Sequence, residues 1–260
     1  MQFFFRCLNR TTIRGIEHVP EGGGVLVVSN HVSYLDPPFI ISVLIDRYPD
    51  EIVRAPAKAE LFSLAGFDRL LTSLGAFPVQ RTGRDLRVLR RMTQVLRRQK
   101  MLLYPEGGRS LSGSLEVGVR AVGRVVLEAK PIVIPAAILG TERVLSPRMK
   151  LPRLFQRLQV RFGAPLAWEP PAHLSRKEAA QYVTDRLMEG IRRLLEAPPE
   201  AHRGSRAAQA APQARPGQAP QGVQSTQAAA GGARAAQGEA LAAGPTDDGR
   251  LRYHHAGSGS

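Results

Sequence analysis

The stretch "GGVLVVSNHVSYLDPPF", residues 23–39, decides how this chain folds. Its first half is a β-branched apolar run between glycines and a polar turn, the pattern of a strand that is buried on both faces. Asp36 followed by Pro37 is a helix-start signal, so we expect Asp36 to be the N-cap of a helix over "PFIISVLIDRY". A buried strand that turns directly into a helix is typical of an α/β domain.

The same alternation continues along the chain after a short helical start. Further strands are predicted at "EIVRAPAK", "AFPVQR", "MLLYP", "PIVIPAAIL" and "LQVRFGAPL", with helical segments between most of them. The last helix, "SRKEAAQYVTDRLMEGIRRLLEA", opens with a capping box formed by Ser175 and Glu178. The sequence therefore predicts an α/β fold with a mainly parallel central sheet and helices on both faces, whose ligands gather beyond the carboxyl ends of the strands.

Composition divides the chain into one domain, residues 1–197, and a disordered tail, residues 198–260. The tail consists mainly of Ala, Gln, Gly, Pro and Arg and has too few large apolar residues to offset the entropy of ordering it. Cys7 is the only cysteine, which excludes an internal disulfide and a cysteine zinc site. No apolar run reaches the roughly 20 residues of a membrane span, and "MQFFFRCLNR" lacks the pattern of a signal peptide. We therefore expect a cytoplasmic protein, peripheral on a membrane.

The formal net charge of +14 indicates anionic partners: nucleic acid, an anionic membrane or phosphorylated substrates. A predicted helix over 84–100 concentrates this charge in Arg84, Arg87, Arg90, Arg91, Arg97, Arg98 and Lys100. Its basic face is either solvated or docks on anionic headgroups, an acidic carrier protein or coenzyme A phosphates. The helix has no aromatic residue, which argues against nucleic acid as the partner. Phe3, Phe4 and Phe5 either seat in a membrane interface or pack on the domain.

The opening stretch also contains a candidate catalytic pair, His31 and Asp36. Residues five apart on one helix lie about 140° from each other, so the two side chains meet only if His31 is on the strand-to-helix turn. An imidazole held by a carboxylate has a fixed tautomer and a stabilised cation, as a general base for an alcohol requires. The alternative is a surface histidine beside a capping aspartate, and the pair alone leaves both open.

"SNHVSYLD" resembles the HxxxxD signature of the phospholipid/glycerol acyltransferases. Four further segments are similar to those of this family and follow in its order: "AKAEL" (57–61), "GAFPVQR" (75–81), "YPEGGRS" (104–110) and "IVIPAAI" (132–138). The likeness covers residues 15–140. The chain departs from the family pattern in two places, with Gly108 where threonine is usual and "LEVG" where a Phe-Lys pair commonly precedes the glycine.

The resemblance implies transfer of an acyl group from a thioester, acyl-CoA or acyl carrier protein, to a hydroxyl, with no metal and no other cofactor. His31 would take the hydroxyl proton and Asp36 would orient the ring. The commonest acceptor is lysophosphatidate, 1-acyl-glycerol 3-phosphate, which gives phosphatidic acid for phospholipid biosynthesis. Glycerol 3-phosphate, lysophospholipids and amino-acid lipids remain open as acceptors, as does a non-catalytic module that binds anionic lipid.

Arg81 and Arg109 are the candidates for binding the acceptor phosphate. A guanidinium offers paired donors that match phosphate, and both arginines follow predicted strands. The alternative is that they form surface ion pairs. Lys58 is a further candidate, against the reading of an ordinary solvated lysine.

The "EGGR" loop supplies the other substrate-binding candidates. Glu106 is expected to accept from a substrate hydroxyl or to position Arg109. Gly107 and Gly108 allow backbone amides to approach an anion closely. Ser33 is not expected to be a nucleophile, because "NHVS" lacks a nucleophile-elbow pattern.

Overall fold

The computed structural model describes residues 4–5, 7–63, 66–79, 86–146, 149 and 151–198. Within them lie the strands β1 (Arg10–Arg14), β2 (Val25–Ser29), β3 (Val53–Lys58), β4 (Ala76–Val79), β5 (Lys100–Leu103), β6 (Ile132–Leu139) and β7 (Arg157–Phe162). The α-helices are α1 (Asp36–Arg47), α2 (Phe67–Ser73), α3 (Leu86–Leu96), α4 (Arg120–Ala129), α5 (Thr141–Val144) and α6 (Arg176–Glu196), and short 3₁₀ helices span Ile16–His18 and Ala59–Ser63. Residues 199–260, nearly all of the predicted tail, lie outside the described residues.

The strands form one sheet in the order β1-β7-β6-β2-β5-β3-β4. Every neighbouring pair is parallel except β6 and β7, which run antiparallel. The predicted α/β fold with a mainly parallel sheet is therefore confirmed. Because β7 is reversed, it begins at the edge where β2, β5 and β6 end, and β1, which is parallel to β7, begins there too. We call this the carboxyl edge.

The central strand β2 separates two hydrophobic cores. All five of its residues are buried, as expected for a strand covered on both faces. Val25 and Val27 face a core with Phe39 and Leu44 of α1. Leu26 and Val28 face the other core, which is completed mainly by α4 and α6 through Val122, Val125, Val126, Val183, Leu187 and Ile191. Burial of each such side chain contributes about 1.5–3 kcal/mol, so the end of β2 is a rigid platform for the turn that follows it.

Two helix starts were predicted, and they differ in outcome. The capping box of α6 is confirmed: the Ser175 hydroxyl accepts from the Glu178 amide at 3.3 Å, and Glu178 accepts from the Ser175 amide at 3.0 Å. The N-cap of α1 was wrongly placed, because Leu35 is the cap and Asp36 is the first helical residue. The Asp36 carboxylate turns back to the amides of the preceding turn instead of capping its own helix.

The beginning of the chain contains the predicted helical start at Phe4 and Phe5, followed by a strand that was not predicted. Residues 10–14 form the edge strand β1, paired in parallel with β7 from Arg10↔Arg157 to Arg14↔Arg161. Phe5 is buried against Phe39, with ring centroids 5.1 Å apart, and Phe4 packs at the border of the same core. Phe4 and Phe5 therefore pack on the domain, and Phe3 lies outside the described residues.

The predicted basic helix is partly confirmed. Residues 80–85 lie outside the described residues. Helix α3 spans Leu86–Leu96, with Leu89, Met92, Val95 and Leu96 packed in or against the core. The exposed basic residues of this segment are Arg87, Arg90, Arg91, Arg97 and Arg98. Lys100 was wrongly placed on this face: it begins β5, is fully buried, and forms an ion pair with Glu51 while lying over the ring of Tyr48. No helix in the described ranges is long and apolar enough to cross a membrane.

Candidate active site

His31 and Asp36 meet at the carboxyl end of β2. His31 lies on the turn after the strand and Asp36 is the first residue of α1, so the chain reverses between them and brings the His31 Nδ1 within 2.9 Å of Asp36 Oδ2. The Asp36 side chain is fully buried and that of His31 is 13% exposed. This geometry is that of an oriented imidazole rather than a surface histidine beside a helix cap.

Asp36 is held by donors on both carboxylate oxygens. Oδ2 accepts from the amides of Val32 and Ser33, each at 2.7 Å, in addition to the His31 ring. Oδ1 accepts from the hydroxyl of Thr141 at 2.5 Å. Four hydrogen bonds from the surrounding turn and from Thr141 therefore hold the Asp36 carboxylate in position. Sequence reasoning missed Thr141, which lies 105 residues away at the start of α5 and has no local signal.

The hydrogen bond to Asp36 fixes the tautomer of His31. The Asp36 carboxylate accepts a hydrogen bond from Nδ1–H. The neutral ring therefore carries its one proton on Nδ1, and Nε2 can accept a proton. The ring stacks on Tyr104, with centroids 4.0 Å apart and planes inclined by 17°. Burial raises the pKa of Tyr104 well above its usual range, so this phenol stays neutral and acts as a flat support.

Glu106 braces the backbone around His31. Its Oε1 accepts from the His31 amide at 2.8 Å and its Oε2 from the Glu116 amide at 2.9 Å. The Ser110 amide donates to the His31 carbonyl at 2.8 Å and completes the contact between the two loops. Burial raises the pKa of Glu106, and the two amide bonds partly offset that rise. Both oxygens thus accept from backbone amides, contacts that were not predicted, and the expected contact with a substrate hydroxyl or with Arg109 stays a prediction.

Gly107 and Gly108 have different environments. Gly107 adopts φ 70°, and its amide donates to the Tyr104 carbonyl at 3.0 Å, so it forms the tight turn rather than offering its N–H to an anion. A Cβ at this position would lie 3.2 Å from both Val119 methyl groups. The Gly108 amide has no hydrogen-bond acceptor among the described residues, so it is the one of the two whose N–H remains a candidate for the substrate.

Arg109 follows the turn and lies over Tyr34, with its guanidinium carbon 3.5 Å from the ring centroid. Its Nη1 is buried and has no hydrogen-bond partner within the described part of the chain, where Arg109 also forms no ion pair. An unpaired buried guanidinium nitrogen is costly, and an anion between the loops would satisfy it.

Lys58 ends β3 as an exposed side chain 3.9 Å from Glu60, consistent with a solvated lysine. Arg81 lies outside the described residues.

Two further polar residues of the turn have structural roles. The Asn30 side chain exchanges two hydrogen bonds with the backbone of Ile138, at 3.0 and 2.8 Å, and so ties the turn to β6. Ser33 is fully buried, donates to the Leu145 carbonyl at 2.5 Å and accepts from the Leu35 amide at 3.1 Å. These contacts agree with the expectation that Ser33 is not a nucleophile.

A cleft of about 190 Å³ opens on this edge of the sheet, lined by Val32, Ser110, Leu111, Ser112, Gly113, Glu142 and Ser146. It borders the His31 turn on one side and the loop after β5 on the other. A larger cavity, about 660 Å³, lies near Trp168 at the opposite edge, where β6 begins, and is therefore remote from His31. The position of the smaller cleft at the carboxyl edge is the one expected for the ligand of a parallel sheet.

Comparison with known proteins assigns the chain to a family. The model of the Acyltransferase family matches residues 10–139. The 1-acyl-sn-glycerol-3-phosphate acyltransferase alpha of Mus musculus is 30% identical over 164 residues, which cover 62% of this chain and 56% of the relative. An uncharacterised protein of Mycobacterium leprae is 28% identical over 180 residues, 64% of this chain and 45% of the relative. The chain thus spans about half the length of these curated relatives.

A solved structure shares the fold. The 1-acyl-sn-glycerophosphate acyltransferase PlsC from Thermotoga maritima superposes with a TM-score of 0.55 at 22% identity, covering 74% of this chain and 75% of that one. The chain described here belongs to the phospholipid/glycerolipid acyltransferase family. It shares with that structure a fold built on a mostly parallel sheet, here of seven strands.

Proposed function

We propose that this protein transfers a fatty acyl group from acyl-CoA or acyl carrier protein to the free hydroxyl of 1-acyl-glycerol 3-phosphate, which yields phosphatidic acid for phospholipid biosynthesis. The observation that carries this proposal is the His31–Asp36 pair at 2.9 Å, because it leaves Nε2 of an oriented imidazole able to accept a proton. The mouse relative is named for the same reaction, which supports this acceptor over others.

The reaction then proceeds by direct attack. The Nε2 atom of His31 takes the proton of the acceptor hydroxyl as its oxygen forms a bond to the thioester carbonyl carbon. The resulting tetrahedral adduct collapses by breaking the carbon–sulfur bond, and the thiolate takes the proton back from His31. Asp36 stabilises the imidazolium between these two steps. The buried, hydrogen-bonded Ser33 takes no part.

Arg109 is the residue that best explains the choice of a phosphorylated acceptor. Its unpaired, buried Nη1 and the free amide of Gly108 lie on the loop that is hydrogen-bonded to the His31 turn. A phosphate monoester offers several acceptor oxygens and about two negative charges to such donors. By the same chemistry, Arg81 remains a proposed second contact. The acceptor is a membrane lipid, so we also propose a peripheral location on an anionic membrane surface on the cytoplasmic side.

A panel of acceptors and donors tests the proposal. Purified protein is given lysophosphatidate, glycerol 3-phosphate, lysophosphatidylcholine or an amino-acid lysolipid, each with acyl-CoA and with acyl carrier protein, and the product is identified by mass. We expect turnover with lysophosphatidate and none with the His31→Ala variant. Equal rates with an acceptor that lacks a phosphate monoester would contradict the role of Arg109. No transfer to any acceptor would instead favour a lipid-binding module without activity.

A further inference from the structure

Exposed apolar side chains are concentrated on the carboxyl edge. In the part of the chain that the structure describes, ten large apolar side chains are exposed, and seven of them lie in the loops of this edge. These seven are Tyr34, Leu111, Val117, Val119, Leu151, Leu154 and Phe155. Single exposed apolar residues are ordinary, but their accumulation around one site marks an interaction surface.

The segment 151–155, which we call the edge loop, shows the feature most clearly. Leu151 is 78% exposed and Phe155 is 76% exposed. Phe155 has φ 61°, a left-handed conformation that an aromatic residue rarely adopts. The fold maintains it, because the Phe155 amide donates to the Leu8 carbonyl at 2.8 Å and the Arg153 amide to the Val144 carbonyl at 2.8 Å. A strained backbone thus presents an aromatic ring to the outside.

Three arginines surround the edge loop. Arg10, Arg153 and Arg157 are exposed, and none of them forms an ion pair with any acidic side chain among the described residues. Arg10 and Arg157 are register partners on neighbouring parallel strands, so like charges stand side by side. Adjacent like charges repel each other, and an anionic surface would relieve that repulsion.

We propose that the edge loop and its three arginines dock on the surface of an anionic bilayer, with Phe155 and Leu151 in the interface and the arginines at the headgroups. The inference rests on the proposed function, since a lipid acceptor has to pass from the bilayer to His31. Docking through this surface places the carboxyl edge, and with it the His31 turn, against the membrane from which the acceptor comes.

The charge pattern selects a bilayer over a second copy of the chain. A symmetric contact between two edge loops would bring arginine against arginine, whereas anionic lipid supplies the opposite charge. The positions of the apolar residues also favour the edge loop over α3 as the docking surface. The apolar residues Leu89, Met92 and Val95 of α3 pack toward the core, so that helix offers charge to a membrane without an apolar group to insert.

Tryptophan quenching tests the contact directly. The chain has one tryptophan, Trp168, which is 9% exposed and lies at the opposite edge of the sheet. Vesicles of phosphatidylcholine with about 30% phosphatidylglycerol, brominated in the acyl chains, should therefore leave the wild-type emission unchanged. The Phe155→Trp variant should be quenched by the same vesicles. Absence of quenching in this variant while the protein is bound to the vesicles would overturn the proposal.

Co-sedimentation with unbrominated vesicles of the same composition measures how much the edge loop and its arginines contribute to vesicle binding. We expect Phe155→Ser to weaken binding about fivefold or more, and Arg153→Gln with Arg157→Gln to weaken it about tenfold or more at low salt. Ile52, an apolar residue that is 50% exposed on the opposite edge, provides the control, and Ile52→Ser should bind as wild type does. Circular dichroism and the melting temperature check that each variant is folded.

The alternative outcomes are distinguishable. Normal binding by the edge-loop variants, combined with loss in Arg90→Gln/Arg97→Gln/Arg98→Gln, would overturn the proposal in favour of α3. A concentration-dependent dimer that Phe155→Ser dissociates in the absence of lipid would overturn it in favour of a second copy. Because the assay needs no turnover, His31→Ala should bind vesicles like the wild type. Failure of the docking proposal is therefore distinguishable from failure of the acyl-transfer proposal.

Discussion

Replacing Asp36 by Asn tests how the site holds its base. Three N–H donors, from the His31 ring and from the amides of Val32 and Ser33, point at Oδ2, whereas Oδ1 faces only the Thr141 hydroxyl, which can also accept. The amide oxygen of Asn should therefore occupy the Oδ2 position, and its NH₂ should donate to Thr141. The tautomer of His31 is then preserved, and only the negative charge is lost.

The expected loss follows from that geometry. A hydrogen bond to a charged group contributes about 1.5–3 kcal/mol, and the His31 bond is the one that strengthens when the imidazolium forms. We expect kcat to fall by about 10- to 150-fold. A wrong tautomer would cost roughly 10⁴-fold. Steady-state kinetics gives the magnitude, and ¹⁵N chemical shifts of the His31 ring identify which nitrogen carries the proton.

The matched control is Thr141, the partner of Oδ1. Thr141→Ser keeps the hydroxyl and should retain most of the activity. Thr141→Val leaves Oδ1 of a buried carboxylate without its donor, so it should cost about 1–3 kcal/mol of stability, measured by denaturant unfolding, and lower kcat. A loss near 10⁴-fold in Asp36→Asn, or a ring protonated on Nε2 in that variant, would refute the reasoning.

Three other predictions concern the roles of His31, Arg109 and Glu106. His31→Ala should lower kcat by roughly 10²–10⁴-fold with an unchanged melting temperature, and near-normal turnover would exclude it as the base. Arg109→Ala should lower kcat/KM for phosphorylated acceptors by an amount equivalent to about 1.5–3 kcal/mol. Lys58→Ala, which removes an exposed lysine, is the control and should change kcat/KM little. Equal effects of the two variants would contradict the placement of the phosphate beside Arg109. Burial raises the pKa of Glu106, so the stability it contributes is complete below its ordinary pKa and decreases as pH rises through the raised value. The melting temperature of the wild type relative to Glu106→Gln should accordingly be higher near pH 4 than near pH 7, and the opposite trend would show that the amide bonds outweigh burial.

Local patterns gave most of the architecture. The β2 strand, the turn to α1 and the capping box of α6 were all predicted, because each depends on neighbours within a few residues. The two residues alone left the pairing of His31 with Asp36 open, and the family resemblance of "SNHVSYLD" was what predicted it. The N-cap of α1 was misplaced by one residue because Asp36 turns its carboxylate backwards, which its position before proline does not reveal.

Contacts between distant segments were the ones that sequence reasoning missed or misassigned. The edge strand β1 is polar and short, and it is a strand because β7 pairs with it from about 147 residues away, between Arg10 and Arg157. Lys100 looks like the last residue of a basic helix, yet Glu51 and Tyr48 bury it at the start of β5. The hydrogen bonds that Glu106 accepts from the amides of His31 and Glu116 join segments 75 and 10 residues away, and they were not predicted.

The sequence by itself determined the alternation of strands and helices, the turn that carries His31 and Asp36, and the family resemblance, because these depend on residue types at short, fixed spacings. Only the tertiary structure decided that Thr141 anchors Asp36 and that Tyr104 supports the imidazole. It also decided that one Nη atom of Arg109 is buried with no hydrogen-bond partner in the described part of the chain. It also decided that Phe155 and its neighbouring arginines share the edge where His31 lies. The physical reason is that hydrogen bonds and burial act through space, and sheet pairing brings together residues whose separation along the chain leaves no periodic signal.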